Sequence, residues 1–144
     1  MLQNRLSSSL QKKSPLKNSI SKKWLGSISF EESLKEQEEL KSLAQKGRFY
    51  FLGFEPRDTV ITKGLRSDSK DILWDSNQLK KHSIQVLSLK RGGQATLHSR
   101  GQLVLYPVVS LPLIGIKVKD FIVLLESITQ AVLKDLNIDT KRLE

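Results

Sequence analysis

Hydrophobic and polar residues change their period several times along the chain, and those changes mark out its elements. Trp24-Leu25-Gly26-Ser27-Ile28 reads as a short opening strand. Ser29-Phe30-Glu31-Glu32 then has the capping-box pattern, a serine able to cap and a glutamate three residues later. Helix formers run on to Lys46, with Leu34, Leu40, Leu43 and Ala44 toward one side and Gly47 at the expected C-terminal cap. Arg48-Phe49-Tyr50-Phe51-Leu52-Gly53-Phe54 is aromatic and strand-favouring. Glu55-Pro56-Arg57-Asp58 predicts a turn, and Thr59-Val60-Ile61-Thr62 the strand that returns from it. Residues 67–83 are polar with scattered apolar positions, which predicts a surface loop with a helical turn.

Two further apolar runs, Ile84-Gln85-Val86-Leu87-Ser88-Leu89 and Leu103-Val104-Leu105-Tyr106, read as strands joined by a cationic, glycine-rich connection. Pro107, Pro112 and Gly115 make the stretch after Tyr106 a connection rather than a continuing strand. From Lys117 the period becomes helical. Val118, Phe121, Ile122, Leu125, Ile128, Val132 and Leu136 form one apolar stripe, read as core, and Asn137 fits a left-handed cap. Two helices among strands with hairpin-like links predict an α+β fold, a mixed or antiparallel sheet flanked by helices, rather than a parallel βαβ array.

Charge changes this picture at one end only. Of a net charge of +9, six positive charges fall on Arg5, Lys12, Lys13, Lys17, Lys22 and Lys23 within residues 1–23, which carry no acid. Those residues are sparse in apolar positions and read as a disordered basic extension, with a folded domain over residues 24–144. Only a presequence role for the extension would make the address mitochondrial instead of cytoplasmic. The body is mildly basic, which gives no ground for a nucleic-acid partner, and no apolar stretch is long and unbroken enough for a membrane span. The sequence has no cysteine and only two histidines, His82 and His98, so thiolate chemistry within the chain is excluded and no metal or cofactor is called for.

The connection itself carries the candidate site: Arg91, Gly92, Gly93, Gln94, Ala95, Thr96, Leu97 and His98. Adjacent glycines allow close backbone approach, and exposed N–H groups beside a fixed guanidinium suit a carbonyl, carboxylate or phosphate. The spacing matches neither of the usual nucleotide-binding glycine loops. Lys63, Gly64 and Arg66 form a second candidate, significant only if their loop faces the first. His82 reads as solvated surface, as do the glutamates at 31, 32, 36, 38 and 39.

At Arg91-Gly92-Gly93-Gln94-Ala95-Thr96-Leu97-His98, followed by Gly101-Gln102-Leu103-Val104 and Tyr106-Pro107, the sequence resembles the lipoyl(octanoyl) transferases, whose signature is R-G-G-x-x-T-Y-H-G-P-G-Q-x-x-x-Y-P. Thr62-Lys63-Gly64 resembles the family's T-x-G, and the segment from Val118 through Leu124-Leu125-Glu126 its V-x-x-Y-V-x-x-L-E. Leu97 stands where the family has tyrosine, and Ser99-Arg100 where it has Gly-Pro. The resemblance implies a fold like the catalytic domain of biotin and lipoate ligases. It also implies transfer of octanoyl from acyl carrier protein to a lysine of the lipoyl domains of 2-oxoacid dehydrogenases and of the glycine cleavage H protein, through an acyl-cysteine intermediate. Residues 91–98 would bind the acyl substrate. The family's lysine and cysteine lie beyond its counterpart of Asn137-Ile138-Asp139-Thr140-Lys141-Arg142, past Glu144, so the resemblance assigns no catalytic residue here. The expectation is the N-terminal portion of an octanoyltransferase, truncated before its nucleophile and inactive alone. The alternative is a non-catalytic remnant of the fold that binds an acyl or carboxylate group. Ligase-type adenylation and nucleic-acid binding through residues 1–23 rank below both.

Overall fold

The opening strand and first helix form where the sequence predicts, because their end signals are local. The computed structural model describes residues 20–143; the expectation of disorder lies outside them as far as residue 19. Strand β1 (Ser21–Ile28) begins within the stretch read as extension. Helix α1 (Phe30–Ala44) opens on a complete capping box: Glu32 N–H donates to Ser29 Oγ at 3.2 Å, and Ser29 N–H to Glu32 Oε2 at 2.8 Å. Its buried residues are Phe30, Ser33, Leu40 and Ala44, and Ser33 is satisfied by donating to Phe30 O at 2.7 Å. The glutamate face is not wholly solvated. Glu36 pairs with Lys23 and so fastens α1 to β1.

The described residues divide into two compact units, one ending at Val109 and the other starting at Ser110. In the first, strand β2 (Tyr50–Pro56) lies between β1, parallel to it, and β6 (Val104–Val108), antiparallel to it. A second sheet centres on β3 (Val60–Lys63), flanked by parallel β4 (Gln85–Ser88) and antiparallel β5 (Ala95–His98). A 3-10 turn (Ser69–Asp71) and helix α2 (Ser76–Lys81) connect β3 to β4. Phe30, Phe54, Val60 and Val104 form one core shared by α1 and both sheets, with Leu25, Ile28, Leu34, Leu87, Leu89 and Tyr106 packed around it.

The fold is thus mixed α+β, as predicted, but its links are not hairpins. β2 already has a strand on each side, so β3 joins the other sheet. Each parallel pair is closed by a helical crossover, the connection parallel strands require. Two smaller expectations also change. The connection between the fourth and last strands contains β5, and β6 runs through Pro107 because an edge strand tolerates a missing N–H.

In the second unit, short helix α3 (Leu111–Ile114) ends on Gly115 and is followed by α4 (Val118–Asp135). Asn137 takes the left-handed conformation, φ 59°, with its N–H on Lys134 O and that of Ile138 on Leu133 O, both at 2.9 Å. The apolar stripe of α4 is not core: the helix has no buried residue, and Val118, Ile122, Ile128, Val132 and Leu136 are exposed. No helix among the described residues is long and apolar enough to cross a membrane.

Candidate functional site

Strand β3 assembles the site. Thr62 faces Thr96 across the antiparallel ladder, and Val60 faces His98. Side chains alternate across a sheet, so Thr62, Thr96, Val60 and His98 share its inner face. Ala95 and Leu97 belong to the other face. There Leu97 borders a cavity of about 220 Å³ with Ile61, Ile72, Leu79 and Ile84. The eight candidate residues are therefore divided by the pleat of β5, and Leu97 is not beside His98's ring.

The two candidate loops meet. Gly64 N–H donates to Gln94 O at 3.2 Å, Leu65 N–H to Arg91 O at 2.8 Å and Arg66 N–H to Gly93 O at 3.2 Å. A Cβ on Gly64 would lie 2.4 Å from Gly93 O and 2.9 Å from Gly92 O, so this close approach requires glycine. Gly93, at φ +85°, supplies the left-handed turn. The N–H groups of Gly92, Gly93 and Gln94 have no acceptor among the described residues. Successive unpaired N–H groups in a glycine loop are the kind of donors that can receive a carbonyl or carboxylate oxygen.

Arg91 does not reach outward. Its Nη2 donates to Thr62 O at 2.8 Å, Thr62 Oγ1 at 2.7 Å and Thr96 Oγ1 at 2.9 Å, while Nη1 donates to Gly92 O at 3.0 Å. The guanidinium holds the loop against β3 and β5. Gln94 Nε2 donates to Asp71 Oδ1 at 3.3 Å, anchoring the loop's other flank.

His98 is 9% exposed, with its ring centroid 4.6 Å from that of Phe30. Its Nδ1 lies 3.0 Å from Gln102 Oε1 and its Nε2 3.5 Å from Thr62 Oγ1. The turn beyond it closes through Gln102 N–H to Ser99 O at 3.2 Å, with Gly101 at φ +84° and Gly101 N–H on Glu55 Oε1 at 3.0 Å. Ser99-Arg100 thus lies in a closed turn, and Arg100 is exposed. Tyr106, stacked on Phe54 at 6.0 Å, supports the core beneath.

Burial holds the His98 pKa below the usual 6.5; the Gln102 hydrogen bond opposes that shift and the Arg91 charge reinforces it. The sign for stability follows directly. Above pH 6.5 the ring is neutral folded or unfolded, and its contribution is intact. As pH falls from about 6.5 toward the lower folded value, the unfolded chain binds a proton that the native ring refuses, and stability is lost. Thermal midpoints of the wild type should fall faster between pH 7 and pH 5 than those of His98→Gln. Parallel curves would refute this.

The remaining candidates lie elsewhere. His82 is exposed, its ring 4.7 Å from Trp74. A cavity of about 530 Å³ lies between α4 and residues 140–143 and includes none of the singled-out loop residues. No group of three or more metal-holding side chains occurs among the described residues. Sequence reading missed two members of the site. Gln102 was visible only as part of a motif, and Thr62 only as the end of a strand and the first residue of the T-x-G motif.

Sheets, helices and loop define a mixed α+β architecture with a glycine loop held against its second sheet. The lipoyl protein ligase A/B catalytic domain model matches residues 28–144, and the chain belongs to that family. Among curated relatives, it is 37% identical over 113 residues to the octanoyltransferase of Caldicellulosiruptor bescii, covering 78% of this chain and 50% of the relative. It is 36% identical over 105 residues to that of Alkaliphilus metalliredigens, covering 72% and 48%. To that of Desulforamulus reducens it is 30% identical over 115 residues, covering 77% and 49%. The chain spans about half the length of these relatives.

Proposed function

We propose that this chain provides the acyl-substrate loop of an octanoyltransferase of protein lipoylation, a cytoplasmic enzyme. Octanoyl would pass from acyl carrier protein to a lysine of lipoyl domains in 2-oxoacid dehydrogenases and the glycine cleavage H protein. The observation that supports the reading is the glycine loop at residues 92–94, whose N–H groups have no acceptor among the described residues. A thioester carbonyl received there would have its oxygen polarised by backbone donors. The role of Arg91, Thr96 and His98 is to hold that loop in place. Gln94 contributes both a backbone donor and a side-chain anchor, and Ala95 continues the loop into β5. Leu97 would present an apolar surface on the reverse face of the strand.

The acyl-cysteine step requires a thiolate, and these 144 residues include no cysteine. The chain alone therefore binds but does not transfer. That same fact favours the second reading, a binder of acyl groups without catalysis. Two measurements test the proposal. Titrating the ¹⁵N-labelled chain with the thioester S-octanoyl-N-acetylcysteamine should shift the amide signals of Gly92, Gly93 and Gln94 first. Incubating it with octanoyl-acyl carrier protein and a lipoyl domain should leave the lysine unmodified. Unmoved amides at millimolar probe would remove the substrate-loop reading, and octanoylated lysine would remove the claim that the chain is inactive alone.

A further inference from the structure

Thr62 is 0% exposed and touches both long polar side chains of the site. Its Oγ1 lies 2.7 Å from Arg91 Nη2 and 3.5 Å from His98 Nε2, and its carbonyl lies 2.8 Å from the same Nη2. A guanidinium can only donate, so Thr62 Oγ1 accepts from Arg91. The hydroxyl can accept twice, so the ring's other nitrogen decides the direction: Nδ1 lies 3.0 Å from Gln102 Oε1, an oxygen that only accepts, which puts the ring proton on Nδ1. Nε2 is then the acceptor, and it takes the Thr62 hydroxyl proton. One arrangement satisfies all four groups: Arg91 to Thr62, Thr62 to His98, His98 to Gln102.

We propose that Thr62 is the positioning residue of the loop, fixing His98 as its Nδ1–H tautomer and Arg91 beneath the glycines so that the N–H groups of residues 92–94 stay available. The functional half of this proposal rests on the substrate-loop reading; the tautomer half does not. Two consequences distinguish it from ordinary core packing. Both His98 nitrogens are occupied, so the ring orders the site and is no free acid or base. Arg91 Nη2 has two protons for three acceptors within 2.9 Å, so that nitrogen has none left for a ligand. Thr62 also sits where a valine would fit by shape, so the hydroxyl can be removed with little change in volume.

The test uses ¹⁵N NMR of the His98 ring in the full chain for wild type, Thr62→Ser and Thr62→Val, alongside titration with S-octanoyl-N-acetylcysteamine. Wild type and Thr62→Ser should show one tautomer, protonated at Nδ1. Thr62→Val should lose that single-tautomer pattern and bind the probe roughly tenfold more weakly, the loss of about one hydrogen bond's worth of order. Thr62→Ser should stay within about threefold of wild type. An Nε2-protonated wild-type ring overturns the proposal without any variant, even if Thr62→Val fails to fold. A folded Thr62→Val with unchanged tautomer and affinity overturns it as well. If the wild type does not bind the probe, the substrate-loop reading falls, and the ring spectra still decide the role of Thr62.

Discussion

Gly64→Ala should lift the Arg91-Gly92-Gly93 loop from β3 and destabilise the protein by about 1–3 kcal/mol. The added methyl would meet Gly93 O at 2.4 Å, Gly92 O at 2.9 Å and Arg91 Nη1 at 3.0 Å. Two of those neighbours are backbone, which cannot rotate aside, so the loop itself must move. The hydrogen bonds that Gly64, Leu65 and Arg66 donate to residues 91–94 would be strained together. Urea unfolding measures the cost, and amide spectra of residues 91–94 report the displacement. Gly92→Ala is the control, since nothing lies within 4 Å of its Cβ position. Equal stability for Gly64→Ala and wild type would show that the loops are not in this contact.

Phe30→Ala should have the larger effect, about 3–5 kcal/mol, as for other buried aromatic truncations. The Phe30 ring is 2% exposed, edge-on to Phe54 at 6.1 Å and tilted over His98 at 4.6 Å. Its removal would leave a cavity at the junction of α1 with both sheets. It would also remove the cover over His98, so the ring's pKa should rise toward 6.5. Chemical denaturation and an NMR titration of His98 read the two effects separately. A large loss of stability with no movement of the His98 titration would mean that other residues keep that ring dry.

What was legible in the sequence was local. The capping box at Ser29 and the left-handed Asn137 are short-range chemistry, and both appear in the structure. The strand cores were legible too, because their residues favour extended chain. Pairing was not. Nothing in Glu55-Pro56-Arg57-Asp58 says that β2 has both sides filled by strands from elsewhere, so a hairpin was the natural reading. β5 was hidden because its four residues lie close between glycines. The chemically distinctive residues of the candidate loop were identifiable by type, but not their partners. Thr62 matters through its position opposite Thr96 and near His98, which only the register of β3 and β5 supplies. The stripe on α4 shows the converse limit: periodicity identifies an apolar face without saying what covers it.

The central place of β3 also has a consequence for how the chain comes off a ribosome. Both of its neighbours follow it in sequence, and its last-made partner in the ladder, His98, pairs with its first residue, Val60. At about 5–20 residues per second, the strand waits a few seconds with at least one edge unpaired. The glycine loop cannot close until residues 91–94, which Gly64, Leu65 and Arg66 grip, have themselves been made. During that interval β3 is open to pairing with a stranger, as is the edge of β2 that waits for β6, so the nascent chain carries two unpaired strand edges before the glycine loop is in place.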